Sequence, residues 1–476
     1  MQRGPRTILL AGGGFVGIVV VAATALLLLV NAGVQKSRLE ATASQGLGLA
    51  VSVDGQVKFA FIPGLVITLR DVHIRNAGVD VAFAPEAALE IDVFPLLKKE
   101  VRIRKIVLKH PRISIERARD GRFNFEKSEP TSVSSAALPI TDWPGVSLSD
   151  GTIVYTDKAS GGAFDARNCN LDARRLDSSG ERRTMKDLSF AADLNCEEVH
   201  LDGFAVSDLK LSAKAKNGFL NLDPVTMRVY GAQGAGSFQA DLSGAVPIFS
   251  VRYSLRQFPL EESFKAISTQ KVATGRMDFS ADLSMQGSTV KEIRQTMKGR
   301  ITLQGRNLTL AGTDLDLEFA KLESSQNYNL VDVGAFFFAG PLGLLVTRGY
   351  DLANLLKGAE GTTEIRTLIA EWNVEHGLAQ AHDVALATRE NRIALQGGLD
   401  FVNDQFSAVT IALIDASGCV KVRQKIAGTF ENPRVEGPSF IRRLSAPALS
   451  LLKKGKKLLS GGECEVFYAG SVPAPA

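Results

Sequence analysis

The sequence predicts a mainly β protein: one N-terminal transmembrane helix, then a long antiparallel β-sheet with a few packed helices. Three observations carry this reading. An uncharged apolar run fills residues 7–35. Apolar and polar residues alternate with period two through the middle of the chain, which puts one set on each face of a sheet. Helical patterning is confined to short interruptions.

The apolar run comes first. Arg3 and Arg6 precede it, and Val19-Val20-Val21 and Leu26 to Val30 form its heart. A bilayer crossing needs about 20 apolar residues. Cleaved signal segments have apolar cores of about 7–15 residues ending at small residues. This run is longer, and the nearest cleavage candidate, Val30-Asn31-Ala32, is poor. The expectation is an uncleaved anchor over residues 1–35. Arg3, Arg6 and the free amine favour a cytoplasmic N-terminus, with Lys36 and Arg38 pulling the other way.

A short helix over residues 34–46 is expected to leave the bilayer. Strands follow at 51–55, 65–74, 101–108 and 113–116, with Pro111 marking a break or an edge position. The stretch 128–142 is rich in Ser, Ala, Thr and Pro and reads as a linker. This bounds a first β domain at 36–128 and a linker at 129–145.

Alternation is clearest in the central region, 146–330. Leu209, Leu211, Ala213 and Ala215 oppose Lys210, Ser212, Lys214 and Lys216. Phe238, Ala240 and Leu242 oppose Gln239, Asp241 and Ser243. The same holds for Val251, Tyr253 and Leu255, and again for Met277, Phe279, Ala281, Leu283 and Met285. One greasy face and one wet face mark an antiparallel sheet with one solvated side. Leu211, Phe238, Leu242, Tyr253, Phe279 and Leu283 are therefore expected to line a single apolar surface, which a one-residue register slip would expose. Helices are expected at 260–267, 288–297 and 314–324.

Residues 331–361 form an apolar insertion. Phe336-Phe337-Phe338 and Leu342 to Val346 are broken by Gly334, Gly340, Pro341 and Gly343. The segment is too punctuated for a second span and reads as helices packed on the greasy face. Strands resume over 362–445. In the tail, 446–476, leucines surround Lys453, Lys454, Lys456 and Lys457. This stretch either lies on an anionic bilayer surface or closes the sheet as a solvated helix.

Hydrophobic residues make up 45% of the chain, enough for a large core, and the formal net charge is only +4. Nucleic-acid binding usually demands clustered basic residues and is not expected. Cys169, Cys196, Cys419 and Cys464 contain no C-x-x-C, so zinc and thioredoxin-like readings fall away. They group as Cys169–Cys196 and Cys419–Cys464, two expected disulfides in an oxidising compartment. The alternative is four buried free thiols.

No nucleophile elbow, Walker loop, H-E-x-x-H or dinucleotide fingerprint is present. His73, His110, His200, His376 and His382 are scattered, and the last two are six apart, a weak metal signal. Glu261 and Glu262 open a helix, where negative charge suits the dipole, and Asp314 and Asp316 alternate along an apolar run. No catalytic residue, cofactor or metal is expected.

Several motifs give the chain a family likeness. They are Gly48-Leu-Ala-Val-Ser-Val-Asp-Gly55, Ile62-Pro63-Gly64, Phe94-Pro-Leu-Leu97, Val101-Arg-Ile-Arg-Lys-Ile-Val-Leu108 and His110-Pro-Arg-Ile113. Asp120-Gly-Arg-Phe-Asn-Phe125 is the most specific. Near the C-terminus stand Gly377-Leu-Ala-Gln-Ala-His-Asp383, Gly397-Gly-Leu-Asp400, Ile426-Ala-Gly-Thr429 and Cys464-Glu-Val-Phe-Tyr-Ala-Gly-Ser471. Together they resemble the AsmA family of bacterial envelope proteins. The first element usually carries Gly-Arg where this chain has Gly48-Leu49, so no arginine role transfers there.

The resemblance implies an inner-membrane anchor with the bulk of the chain in the periplasm. Through TamB-like relatives it also implies a chorein-like N-terminal part and a curved, groove-like sheet. Its implied partners are membrane phospholipids, and its implied role is phospholipid transport and outer-membrane biogenesis; the chain is short for a bridge, so self-association or an envelope partner protein is expected as well. The alternative is an envelope assembly scaffold whose core is filled.

Overall fold

The computed structural model describes residues 40, 44, 49–60, 65–92, 103–126, 145–158, 161–175, 189–201, 204–265, 273–311, 314–321, 361–436, 439–440, 464 and 466–475. The expected anchor at 7–35, the linker up to residue 144, the insertion at 331–360 and the basic stretch at 449–459 lie outside these residues, whereas Gly145, at the linker's expected end, opens a strand. Among the described residues, no helix is long and apolar enough to cross a membrane.

The chain is mainly β and divides into two compact units. The first comprises Met1–Val229, Gly234–Phe249 and Gly287–Val290; the second comprises Tyr230–Gln233, Ser250–Gln286 and Lys291–Ala476.

The first unit begins with β1 (Ala50–Val53) and β2 (Val57–Ala60), which pair side by side with β3 (Leu65–Asn76). The outward N–H groups of β1 are capped. The Val51 N–H donates to Ser44 Oγ and the Val53 N–H to Glu40 Oε1, both at 2.8 Å. Glu40 and Ser44 are the described residues of the expected 34–46 helix, and both are helical. Such capping blunts an edge that would otherwise invite another strand.

Next come β4 (Val79–Ile91), β5 (Ile103–Lys109) and β6 (Arg112–Arg117). β5 and β6 act as one strand interrupted at His110-Pro111, since both pair with β4 on one side and with β7 (Gly145–Asp157) on the other. The pairing with β7 is parallel. The purely antiparallel sheet expected from alternation is thus corrected to a mixed one. A parallel neighbour needs a return connection of a dozen or more residues, which 118–144 supplies. Antiparallel pairing then resumes through β8 (Ala163–Arg175), β9 (Phe190–Leu201), β10 (Phe204–Lys216) and β11 (Phe219–Val229). β12 (Ala232–Asp241) follows.

The second unit carries most of β13 (Ile248–Pro259), then α1 (Leu260–Lys265) and β14 (Ala273–Gln286). The rest is α2 (Val290–Thr296), β15 (Lys298–Ala311), α3 (Leu315–Lys321) and the strands β16 (Thr362–Glu375), β17 (Leu378–Ala387), β18 (Arg392–Asp400), β19 (Gln405–Ile414) and β20 (Val420–Gly428). The three helices fall inside the expected spans. β14 through β20 pair in chain order as antiparallel neighbours. Two short strands, β21 (Pro433–Val435) and β22 (Ser439–Phe440), cover β20.

Candidate functional site

The strand registers of the first unit line up apolar residues across eight strands. One row runs Leu69, Ala87, Leu108, Leu148, Leu171, Leu194, Leu211 and Val225, each directly opposite the next. A second row, two residues along each strand and three along β11 where the register shifts, runs Ile67, Leu89, Ile106, Val146, Ala173, Ala192, Ala213 and Leu222. Directly opposed residues share a face, so both rows lie side by side. Burial changes along the first row. Leu69, Ala87, Leu108 and Leu148 are 5–6% exposed, whereas Leu171, Leu194, Leu211 and Val225 are half-buried.

A third row lies beyond a line of bulges: Val51, Ile74, Ala82, Ile113, Ile153, Ala166, Val199, Val206 and Val229. Between the rows the inward positions skip a residue, from Leu69 to Val72, Ala84 to Ala87, Leu148 to Gly151, Ala166 to Cys169, Cys196 to Val199 and Val206 to Leu209. Asp71, His110, Asp150, Asn168 and Asp208 occupy this line with φ between 49° and 53°. Asp, Asn and His tolerate that left-handed conformation better than other non-glycine residues. Each bulge adds one residue and bends its strand, which keeps the apolar side chains on one face across the crease. Cys169 and Cys196 sit directly opposite each other on that line, joined by a disulfide and almost fully buried.

The opposite face is polar in the same register. Arg70, Glu86, Lys109 and Ser149 stand in one row. Lys109 Nζ lies 2.6 Å from Glu86, and that hydrogen bond holds the Glu86 carboxyl below its usual range. Further on, Ser212 donates to Asp193, and Asn170 to Asn195. His110, Asp150, Asn168, Asn195, Glu197 and Asp208 line a shallow polar cleft along the crease. Among the described residues, no group of His, Cys, Asp and Glu is arranged to hold a metal.

The second unit has its own apolar row, Met277, Gly305, Leu368, Leu386, Ile393, Leu413 and Val422. Its side chains are at most 5% exposed. The other face of β17 to β19 carries Ala385, Ala387, Ala394 and Ala412, and there Phe467, Tyr468 and Val472 of the tail pack down. Small side chains make room for that cover. The cover is also bonded. Tyr468 Oη donates to Asp383 Oδ1 at 2.5 Å, and the Ser471 N–H donates to Asp383 Oδ2 at 3.1 Å. Arg392 donates to the Val472 carbonyl at 3.0 Å and Gln396 to the Phe467 carbonyl at 2.7 Å. Burial first, then the bond to Asp383, pushes the Tyr468 phenol well above its ordinary range. The Cys419–Cys464 disulfide fastens the start of this segment.

The six residues expected to line an apolar surface are all half-buried. Leu211, Phe238 and Leu242 belong to the first unit, and Tyr253, Phe279 and Leu283 to the second. Leu211 stands in the first row. Phe238 stacks on Phe249 with ring centroids 6.2 Å apart. Phe279 lies directly opposite Leu303, and Leu283 opposite Gly299. The Tyr253 hydroxyl is buried without a hydrogen-bond partner, and burial pushes its pKa up to about 12. Alternation in single strands missed the partners Leu171, Leu194 and Val225, which only the register brings beside Leu211.

The AsmA family model matches residues 5–179 and 174–383. The chain belongs to the AsmA family. This family is associated with the bacterial envelope. Neither curated proteins nor solved structures give a match. The AsmA match takes in the central strands, where the motifs were silent, and stops at Asp383, before the disulfide-fastened tail.

Proposed function

We propose that this AsmA protein is anchored in the bacterial inner membrane and holds phospholipid acyl chains on its apolar sheet face in the periplasm, serving phospholipid transport and outer-membrane biogenesis. The observation that carries the proposal is the row from Leu69 to Val225, aliphatic in every strand and only half-buried from Leu171 onward. An acyl chain laid along such a row leaves water at about 0.8 kcal/mol per methylene. No catalytic residue is needed, because movement along an apolar path follows supply at one end and demand at the other. The strand-bearing length is short for crossing a periplasm alone, so self-association or an envelope partner completes the path.

A second reading, an envelope assembly scaffold with a filled core, draws support from β17 to β19, where the stretches 383–387, 392–395 and 411–414 are buried on both faces. Native mass spectrometry of the full chain in mild detergent separates the two. The transport reading expects bound phospholipid in the wild type and its loss in Leu194→Asp. A chain that carries no lipid in either form leaves the scaffold reading.

A further inference from the structure

Four of the large apolar side chains most exposed to solvent gather on neighbouring turns of the first unit. Phe219 is 55% exposed, Val246 48%, Ile248 46% and Val290 62%. Backbone contacts hold these turns together. The Leu242 N–H donates to the Gly218 carbonyl at 2.8 Å and the Gly287 N–H to the Pro247 carbonyl at 3.0 Å. Gly218 has φ +81°, and a Cβ there would stand 3.0 Å from the Ser243 nitrogen, so a side chain would strain the turn. The exposed tips are therefore built on tight, well-bonded turns.

Beside Phe219 the charge is positive. Lys216 lies directly opposite Phe219, and Lys214 directly opposite Asn221. Both lysines are exposed and neither has an ion-pair partner among the described residues. Asp241 turns its carboxylate back into its own turn, accepting from the N–H and hydroxyl of Ser243. Exposed apolar patches of this kind mark interaction sites. An aromatic tip beside free ammonium groups matches the interface of an anionic bilayer, where the ring enters the headgroup boundary and the lysines meet phosphate.

We infer that the turns bearing Phe219, Val246, Ile248 and Val290 dock on an anionic phospholipid surface, with Lys214 and Lys216 supplying the charge preference. A soluble protein partner would fit the apolar tips equally, but it gives no reason for unpaired lysines beside them. The docking stands whether or not lipid moves along the apolar rows.

The test uses the full chain in phosphatidylcholine nanodiscs, which occupy any membrane anchor. Flotation is measured with separate vesicles of phosphatidylcholine, alone or mixed with phosphatidylglycerol. The expected result is binding to the mixed vesicles, weakened by salt. Phe219→Ser and the double variant Lys214→Glu/Lys216→Glu should each weaken it by roughly tenfold or more, with unchanged thermal unfolding. Phe219→Trp should shift its emission to the blue and be quenched by brominated acyl chains, against the background of Trp143 and Trp372. Absent flotation, equal binding by the variants, or an unquenched Phe219→Trp overturns the inference. So does a Phe219→Ser variant that changes only the oligomeric state in sedimentation, which assigns the patch to a protein contact.

Discussion

Removing the Cys419–Cys464 disulfide should loosen the tail that covers β17 to β20 without unfolding the sheet beneath. The two cysteines are 45 residues apart. Closing a loop of that length restricts the unfolded chain by about 4 kcal/mol in the chain-entropy treatment. The bonds from Tyr468 and Ser471 to Asp383, from Arg392 to Val472 and from Gln396 to Phe467 survive the change, so the tail stays docked most of the time. Its opening should rise by up to about three orders of magnitude, since about 1.4 kcal/mol corresponds to a factor of ten. Hydrogen exchange reads this directly. The Phe467 amide donates to the Gly418 carbonyl and the Val472 amide to Tyr468 Oη. Both should lose protection in Cys419→Ser/Cys464→Ser while β14 to β16 keep theirs. Unchanged protection of both amides in the double variant would place the hold entirely in packing and hydrogen bonds, with no part for the disulfide.

The two buried tyrosines should respond oppositely to loss of the hydroxyl. Tyr253→Phe deletes an unpartnered buried group and should stabilise by roughly 1 kcal/mol, while Tyr468→Phe breaks a bond to a carboxylate and should cost roughly 1.5–3 kcal/mol, both read by chemical denaturation. Both phenols have raised folded pKa values, so their contribution is complete below the ordinary phenol value of 10.0; that of Tyr253 is lost as pH rises towards about 12, and that of Tyr468 persists to higher pH. Alkaline titration of stability should fall in that window, less steeply in Tyr253→Phe. Along the first apolar row, Leu148→Asp buries an unpaired charge and should cost several kcal/mol, whereas Leu194→Asp, at a half-buried position, should leave a folded protein; thermal unfolding of the pair checks this. A C-terminal alkaline phosphatase fusion should be active if the anchor at residues 7–35 places the bulk of the chain in the periplasm, and an inactive fusion reverses that orientation.

Much of the fold was legible because alternation is a strong local signal. Lys210 to Lys216 and Gln239 to Ser243 announce their faces residue by residue, and capping and acidic first turns mark the short helices. What alternation cannot give is register. Leu211 could be assigned a face, but the neighbours Leu194 and Val225 depend on how three strands slide past one another. The parallel step at β7 was invisible for the same reason, since a strand reads the same in either direction. The crease left a trace, an apolar position three residues from the last in Leu148-Ser-Asp-Gly151 and again in Ala166-Arg-Asn-Cys169. A single such skip reads as noise, and only their alignment across strands makes a bulge line. The alanines of β17 to β19 gave no hint that a distant tail would cover them, because small residues on a wet-looking face become informative only once Phe467 and Tyr468 are seen against them.

If the protein carries lipid, the half-buried apolar positions meet it. Photo-crosslinking from a benzoyl-phenylalanine placed in turn at Leu211, Phe238, Leu242, Tyr253, Phe279 and Leu283, in the full chain in its native membrane, reads that contact. Lys210, Asp193 and Arg252 on the polar side serve as controls. Phospholipid adducts are expected at the six positions and none at the controls. Folded, membrane-anchored protein that yields no lipid adduct at any of the six would rule out lipid on this face and leave a scaffold with a filled core.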